Sequence, residues 1–142
     1  MTTIAYRDGV LAADTLYCYG GTRELAVVRK VFKTSDGRLL GMCGDIAPVR
    51  NLVEAVLRGR TVPVLGKDEG RVIEVMPSGV VFMHEPGGKY PIGRIGHGAW
   101  GSGSDAARGA LAMGASAVQA VRVAGKIDIY TGGRVQRVSL DG

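Results

Sequence analysis

Twenty-three of the 142 residues are glycine, against an ordinary share of about 7%. That surplus narrows the possible folds more than any other feature. No Gly-x-y period runs through the chain, which excludes a collagen helix. The glycines lie within apolar segments, which excludes a flexible linker. They must serve tight turns, close backbone approaches, or both.

Several glycines mark hairpins. Arg7-Asp8-Gly9 separates the apolar runs 3–6 and 10–13, and Asp-Gly is a strong hairpin signal. Ser35-Asp36-Gly37 does the same between 30–34 and 38–43, and Pro77-Ser78-Gly79 between 72–76 and 80–84. Their strands are apolar on both faces, as expected of a sheet covered on both sides. Ile46, Val49, Leu52, Val53, Val56 and Leu57 recur at helical spacing, which predicts a helix with Asp45 as N-cap and Gly59 as its stop. Residues 60–70 read as a connector, and residues 85–99 as irregular with a short strand around Ile95. Two alanine- and glycine-rich helices are expected over 105–113, capped by Ser104, and 117–124, capped by Ser116. Strands over 127–130 and 135–140 end the chain. This order gives an α+β fold in a single domain, residues 1–142.

Composition removes several function classes. Charged residues make up 22% and hydrophobic residues 46%, a globular balance. The net charge of +5 is spread over both halves, without the clustered patch of a nucleic-acid binder. No stretch is long and apolar enough to span a bilayer as a helix. Cys18 and Cys43 lack metal-ligand spacing, as do His84 and His97. No disulfide framework, metal or cofactor is therefore expected. The opening MTTIAYRDG has neither a charged n-region nor an apolar h-region, so a cytoplasmic location is expected.

The chemistry starts at Thr2. A small second residue permits removal of Met1, after which Thr2 carries a hydroxyl and a free α-amine. The hydroxyl is a weak nucleophile until a base takes its proton. An α-amine with a pKa of about 7.7–8.0 is partly neutral near pH 7 and serves as that base, directly or through water.

An ordered set of short motifs surrounds this residue. Thr2-Thr3-Ile4, Gly9 to Asp14, Gly20, Arg29-Lys30-Val31, Gly41 to Gly44, Gly101 to Ser104 and Asp128 to Gly132 follow one another. Together they resemble the proteasome β-subunit family, and also the bacterial two-ring peptidase of the ATP-dependent heat-shock protease. The resemblance covers nearly the whole chain except residues 60–99. It implies a four-layer αββα sandwich of N-terminal nucleophile hydrolase type, shortened because 59–70 leaves no room for the family's second helix.

The resemblance also assigns roles. Thr2 matches the nucleophile, and Asp14 and Lys30 the carboxylate–lysine pair beside it. An ammonium there favours the alkoxide and disfavours protonation of the α-amine. Gly44 matches the backbone donor to the oxyanion. Ser102, Asp128 and Thr131 match the group that orients the amine. Tyr17, Val28, Met42 and Ile46 match the walls of the pocket for the residue before the scissile bond, which implies an apolar preference. Cys18 matches a backbone contact to an extended peptide.

The implied function is a threonine-type peptidase acting on peptides or unfolded proteins. It would work within homo-oligomeric stacked rings, with an ATP-dependent unfoldase as a possible partner and no nucleic acid or membrane. Two alternatives stand beside it: a non-catalytic structural ring subunit that keeps Met1, and an N-terminal nucleophile amidohydrolase acting on a non-peptide amide.

Overall fold

The computed structural model describes residues 2–142. Met1, whose removal the reading above requires, lies outside the described residues. The chain opens with β1 (Thr3–Arg7) and β2 (Val10–Ala13), then a pair missed in the sequence, β3 (Leu16–Tyr19) and β4 (Thr22–Val27). β5 (Val31–Lys33), β6 (Leu39–Gly44) and helix α1 (Ile46–Leu57) follow. Next come β7 (Gly70–Val75), β8 (Val81–Glu85), β9 (Gly88–Gly93) and β10 (His97–Gly101). The last elements are α2 (Ser104–Ala112), α3 (Ala117–Ile127) and β11 (Gln136–Ser139). The architecture is α+β.

The strands form a four-stranded sheet in the order β10-β1-β2-β11, a five-stranded sheet in the order β5-β6-β7-β8-β9, and the separate β3–β4 hairpin. All pairings are antiparallel. β1 is flanked on both sides: Ile4 faces Trp100 on β10 and Ala13 on β2.

Alternation along β1 explains why it reads as apolar throughout. Ile4 and Tyr6 pack with Leu11, Val31, Leu39 and Ile73 in a core shared by the two sheets. Ala5 points the other way, with Ala12 and Ala99, against Ala107, Leu111, Ala120 and Ala124 of α2 and α3. Alanines on both surfaces let those helices approach closely. The far face of the five-stranded sheet packs Leu40, Met42 and Val72 on Val49, Leu52, Val53 and Val56 of α1. Burying each of the larger aliphatic side chains stabilises by about 1.5–3 kcal/mol.

Helix ends correct some expectations. Asp45 occupies the N-cap of α1, but its side chain makes no capping bond. The helix stops at Gly59 as expected: Gly59 N–H bonds Val56 O and Arg60 N–H bonds Ala55 O, the pattern of a Schellman end. Ser104 is the first residue of α2 rather than its cap, which is Gly103. Ser116 does cap α3, in a reciprocal capping box with Gln119.

Two segments differ more. Residues 85–99, read as irregular with a short strand around Ile95, hold all of β9 and most of β10, and Ile95 lies in the link between them. The expected strand over 127–130 does not form. α3 continues through Ile127, Asp128 N–H bonds Ala124 O, and the Asp128 carboxylate accepts from Tyr130 N–H. That side-chain bond turns the backbone out of any extended path. None of the helices among the described residues is long and apolar enough to cross a membrane.

Candidate active site

Thr2 immediately precedes β1, in the middle of the four-stranded sheet, and is buried. Asp14 follows β2, and its N–H bonds Thr3 O at 3.3 Å. Lys30 precedes β5, and its carbonyl accepts from Met42 N–H at 2.9 Å. These two strand ends bring Lys30 Nζ to 3.0 Å from Asp14 Oδ1. The same oxygen accepts from Thr3 N–H at 3.0 Å, and Oδ2 accepts from Gly132 N–H at 3.1 Å. A carboxylate this deep must be paired and hydrogen-bonded, and Asp14 is both. Burial pushes the Lys30 ammonium below its ordinary pKa, although the Asp14 charge and hydrogen bond pull it back up.

A second cluster closes on the backbone of Thr2. Thr2 N donates to Ser102 Oγ at 3.2 Å. Ser102 Oγ donates to Asp128 Oδ2 at 2.6 Å, and Thr131 Oγ1 donates to the same oxygen at 2.7 Å. Thr131 therefore accepts from Thr3 Oγ1, 2.7 Å away. Burial would raise the Asp128 pKa, but the hydroxyls of Ser102 and Thr131 and the Tyr130 amide outweigh it and hold the carboxyl below its ordinary value. Asp128 is thus ionised at neutral pH.

Two glycines make the cluster possible. Gly101 has φ +100°, and a Cβ there would lie 1.9 Å from Thr2 O. Gly44 has φ +111°, and its Cβ would lie 2.4 Å from Gly70 Cα. Neither position accepts a side chain without moving backbone.

Gly44 also stands between two cavities. The first, about 450 Å³, is lined by Thr2, Lys30 and Gly44 together with Tyr17, Cys18, Val28 and Ile46. The β3–β4 hairpin supplies one wall and the start of α1 another. Met42, expected in that wall, is instead buried beneath α1 with Phe32, Leu40 and Val49. The second cavity, about 490 Å³, is lined by Gly44, Trp100, Ser102 and Arg108 among others.

The seven expected catalytic positions therefore gather at one end of the four-stranded sheet. Sequence reasoning missed Thr3, whose amide and hydroxyl join both clusters, and the Gly132 amide. For Thr3 a signal was present: alternation in β1 places its side chain opposite that of Ile4. The Gly132 contact depends on a fold-back that no local pattern encodes. Among the described residues, no three His, Cys, Asp or Glu side chains are placed to hold a metal ion.

Comparison with known proteins gives the same direction. No family model matches the chain. A probable proteasome subunit beta type-7 of Encephalitozoon cuniculi (strain GB-M1) is 35% identical over 75 residues, which is 52% of this chain and 30% of that protein. The resemblance is to the proteasome β-subunit family. The match spans about a third of the length of this curated relative. A solved fold matches nearly the whole chain. Thiobacillus denitrificans BPH superposes with a TM-score of 0.70 at 21% identity, covering 98% of this chain and 97% of that one. The same protein in complex with epoxomicin gives a TM-score of 0.64 at 22% identity, covering 98% of each chain.

Proposed function

We propose that this chain is a threonine-type peptidase of a self-compartmentalising, proteasome-like particle. The observation that carries the reading is the relay from Thr2 N to Ser102 Oγ to Asp128 Oδ2. It orients one backbone nitrogen with an ionised carboxylate behind it, an arrangement suited to an amine that must accept and return a proton. With Met1 removed, that nitrogen is the α-amine.

Thr2 Oγ1 attacks the scissile carbonyl while its proton passes to the α-amine, directly or through one water. The buried Lys30 ammonium favours the alkoxide, and its charge keeps the neighbouring amine neutral. Asp14 holds Lys30. The oxyanion of the tetrahedral intermediate meets the Gly44 N–H, a donor type worth about 2.7–4 kcal/mol in barrier. The C–N bond then breaks, and the leaving amine takes its proton from the Thr2 ammonium. Water, deprotonated by the same amine, hydrolyses the ester. Tyr17, Val28 and Ile46 favour an apolar residue before the scissile bond, and Cys18 offers backbone groups to an extended peptide. The epoxomicin complex of the Thiobacillus protein supports a peptide-binding reading.

The finer architecture belongs to the same proposal. The chain is one domain, a shortened four-layer αββα sandwich in which residues 58–69 stand in place of the family's second helix. Homo-oligomeric stacked rings enclose the sites, unfolded protein is the substrate, and an ATP-driven unfoldase is the partner class that would deliver it.

Intact mass of the purified protein, before and after incubation with epoxomicin, tests this. Loss of one methionine and one adduct per chain is expected, with no adduct in Thr2→Ala. Retained Met1 with no adduct would overturn the peptidase in favour of a structural ring subunit. Turnover of simple amides but of no peptide would favour the non-peptide amidohydrolase.

A further inference from the structure

The mechanism above leaves the second cavity without a role. We infer that this cavity receives the leaving-group side of the substrate and that Arg108, with Arg71, selects a carboxylate there. The inference rests on the peptidase reading and names the substrate class of the same site.

The first argument is the path of a proton. The leaving amine must be protonated as the C–N bond breaks, and the donor is the Thr2 nitrogen. That nitrogen faces Ser102 Oγ at 3.2 Å. Ser102 lines the second cavity, Thr2 lines the first, and Gly44 lines both. A scissile bond whose carbonyl oxygen meets Gly44 and whose nitrogen meets Thr2 N therefore straddles the divide. Its acyl side lies against Tyr17, Val28 and Ile46, and its amine side lies beyond Ser102.

The second argument is charge. Arg108 projects from α2, and one Nη2 bond to Ala99 O at 2.8 Å fixes its guanidinium. It forms no ion pair among the described residues. Arg71 has a loose partner, Glu85, at 3.6 Å, and Glu85 does not line this cavity. Asp68 is the one acidic side chain on the wall. Two arginines and one acidic residue therefore line this cavity, beside the buried Trp100. An anchored guanidinium with unused N–H groups matches a carboxylate in a two-point fork. The first cavity contrasts with this: among the described residues its one side-chain cation, Lys30, is already held by Asp14.

The carboxylate has two possible sources: a Glu or Asp side chain just after the scissile bond, or the C-terminus of a short substrate. Peptides sharing one apolar acyl side separate them. The leaving side carries Glu, Gln or Lys with an amidated end, or Gln with a free acid end. All are mixed with the protein in one tube, and relative kcat/KM is read by mass spectrometry. The Glu-amide or the Gln-acid peptide should be cleaved about tenfold faster than Gln-amide, and Lys-amide slowest. The preference should shrink as salt rises from 0.05 to 0.5 M, which screens exposed charge. Arg108→Gln should bring the ratio close to one, with Arg108→Lys in between.

Equal cleavage of all four peptides, the Gln-acid one included, by the wild type overturns the inference and leaves the peptidase reading intact. So does a preference that survives in the Arg108→Gln, Arg71→Gln double variant. Absence of any peptide cleavage, or cleavage retained by Thr2→Ala, overturns both readings together.

Discussion

Asp14 and Lys30 meet at 3.0 Å with only 1% and 5% of their side chains exposed. The pair is asymmetric. Asp14 also holds two backbone amides, Thr3 and Gly132, whereas among the described residues Asp14 is the one carboxylate that Lys30 meets. Replacing the carboxylate by an amide leaves a buried ammonium without its counter-charge and one of the two backbone amides without an acceptor. Losing the ammonium leaves a carboxylate that is still hydrogen-bonded. Asp14→Asn should therefore cost about 3–5 kcal/mol, the range for a broken buried pair, and Lys30→Met distinctly less. Urea unfolding of the two variants checks the order. Peptidase activity should fall at least about a hundredfold in both, because neither retains the paired ammonium.

The same pair sets an unusual alkaline response. The Lys30 pKa is lowered from its ordinary 10.5, by burial against the partial pull of Asp14. Between the folded and unfolded pKa values the unfolded chain binds more protons, so the contribution of this group to stability rises with pH. Activity moves the other way if the ammonium is needed. Activity per molecule should decline before pH 10.5 while the urea midpoint contributed by this residue climbs. A parallel fall in both would show that unfolding, and not Lys30 titration, limits activity.

Acid should act at a different place. Glu74 is buried, with Arg38 Nη1 at 2.8 Å, His84 Nε2 at 2.9 Å and Lys89 Nζ at 3.0 Å. Burial alone would raise its pKa, but hydrogen bonds from His84, Lys89 and Arg38 bring it from 4.5 to about 2. Its folded value lies below its unfolded one. The resulting stability is present above about pH 4.5 and is lost as pH falls towards 2, on the order of 3 kcal/mol in all. Glu74→Gln should flatten that part of the stability–pH curve, as followed by circular dichroism.

The two thiols should differ sharply. Cys43 is buried, and burial raises its pKa above the ordinary value, so little thiolate forms. Cys18 is partly exposed on the wall of the first cavity. Iodoacetamide at pH 8 should label Cys18 alone in the folded protein, by peptide mass spectrometry. Labelling should block peptide cleavage in step with its extent, and Cys18→Ala should be insensitive to the reagent. Labelling of Cys43 at a comparable rate would contradict the packing described above.

The resemblance of the ordered motifs names the site residues, and local pattern places them beside recognisable elements. Asp14 and Lys30 each adjoin a strand with a clear apolar run, and Ser102 and Thr131 adjoin helix boundaries. Where the reading failed, tertiary pairing overrode local preference. β10 carries Gly98 and Gly101 and would not form a strand alone, but it is pinned along five residues of β1. β9 contains Pro91 at a sheet edge. β4 is exposed along its whole length, so it shows no alternation to read. Gly20-Gly21 did mark its turn. Ile127 to Tyr130 has the β-branched and aromatic character of a strand, yet the Asp128 carboxylate claims the backbone there. Arg71 and Arg108 sit in ordinary solvated contexts, and only the folded wall brings them together.

Thr2 stands at the end of a strand that is laced to a neighbour on each side. A strand at the rim of a sheet is held by one ladder, but an interior one cannot move without unpicking two. In the proposed mechanism, the reacting atoms are therefore fixed to the most firmly paired part of the framework. The walls that meet the substrate, namely the β3–β4 hairpin, the head of α1 and the Arg71–Arg108 side, hang from its periphery. Altered selectivity is open to mutation at those walls one residue at a time. In the proposed mechanism, relocating the nucleophile would require a different sheet.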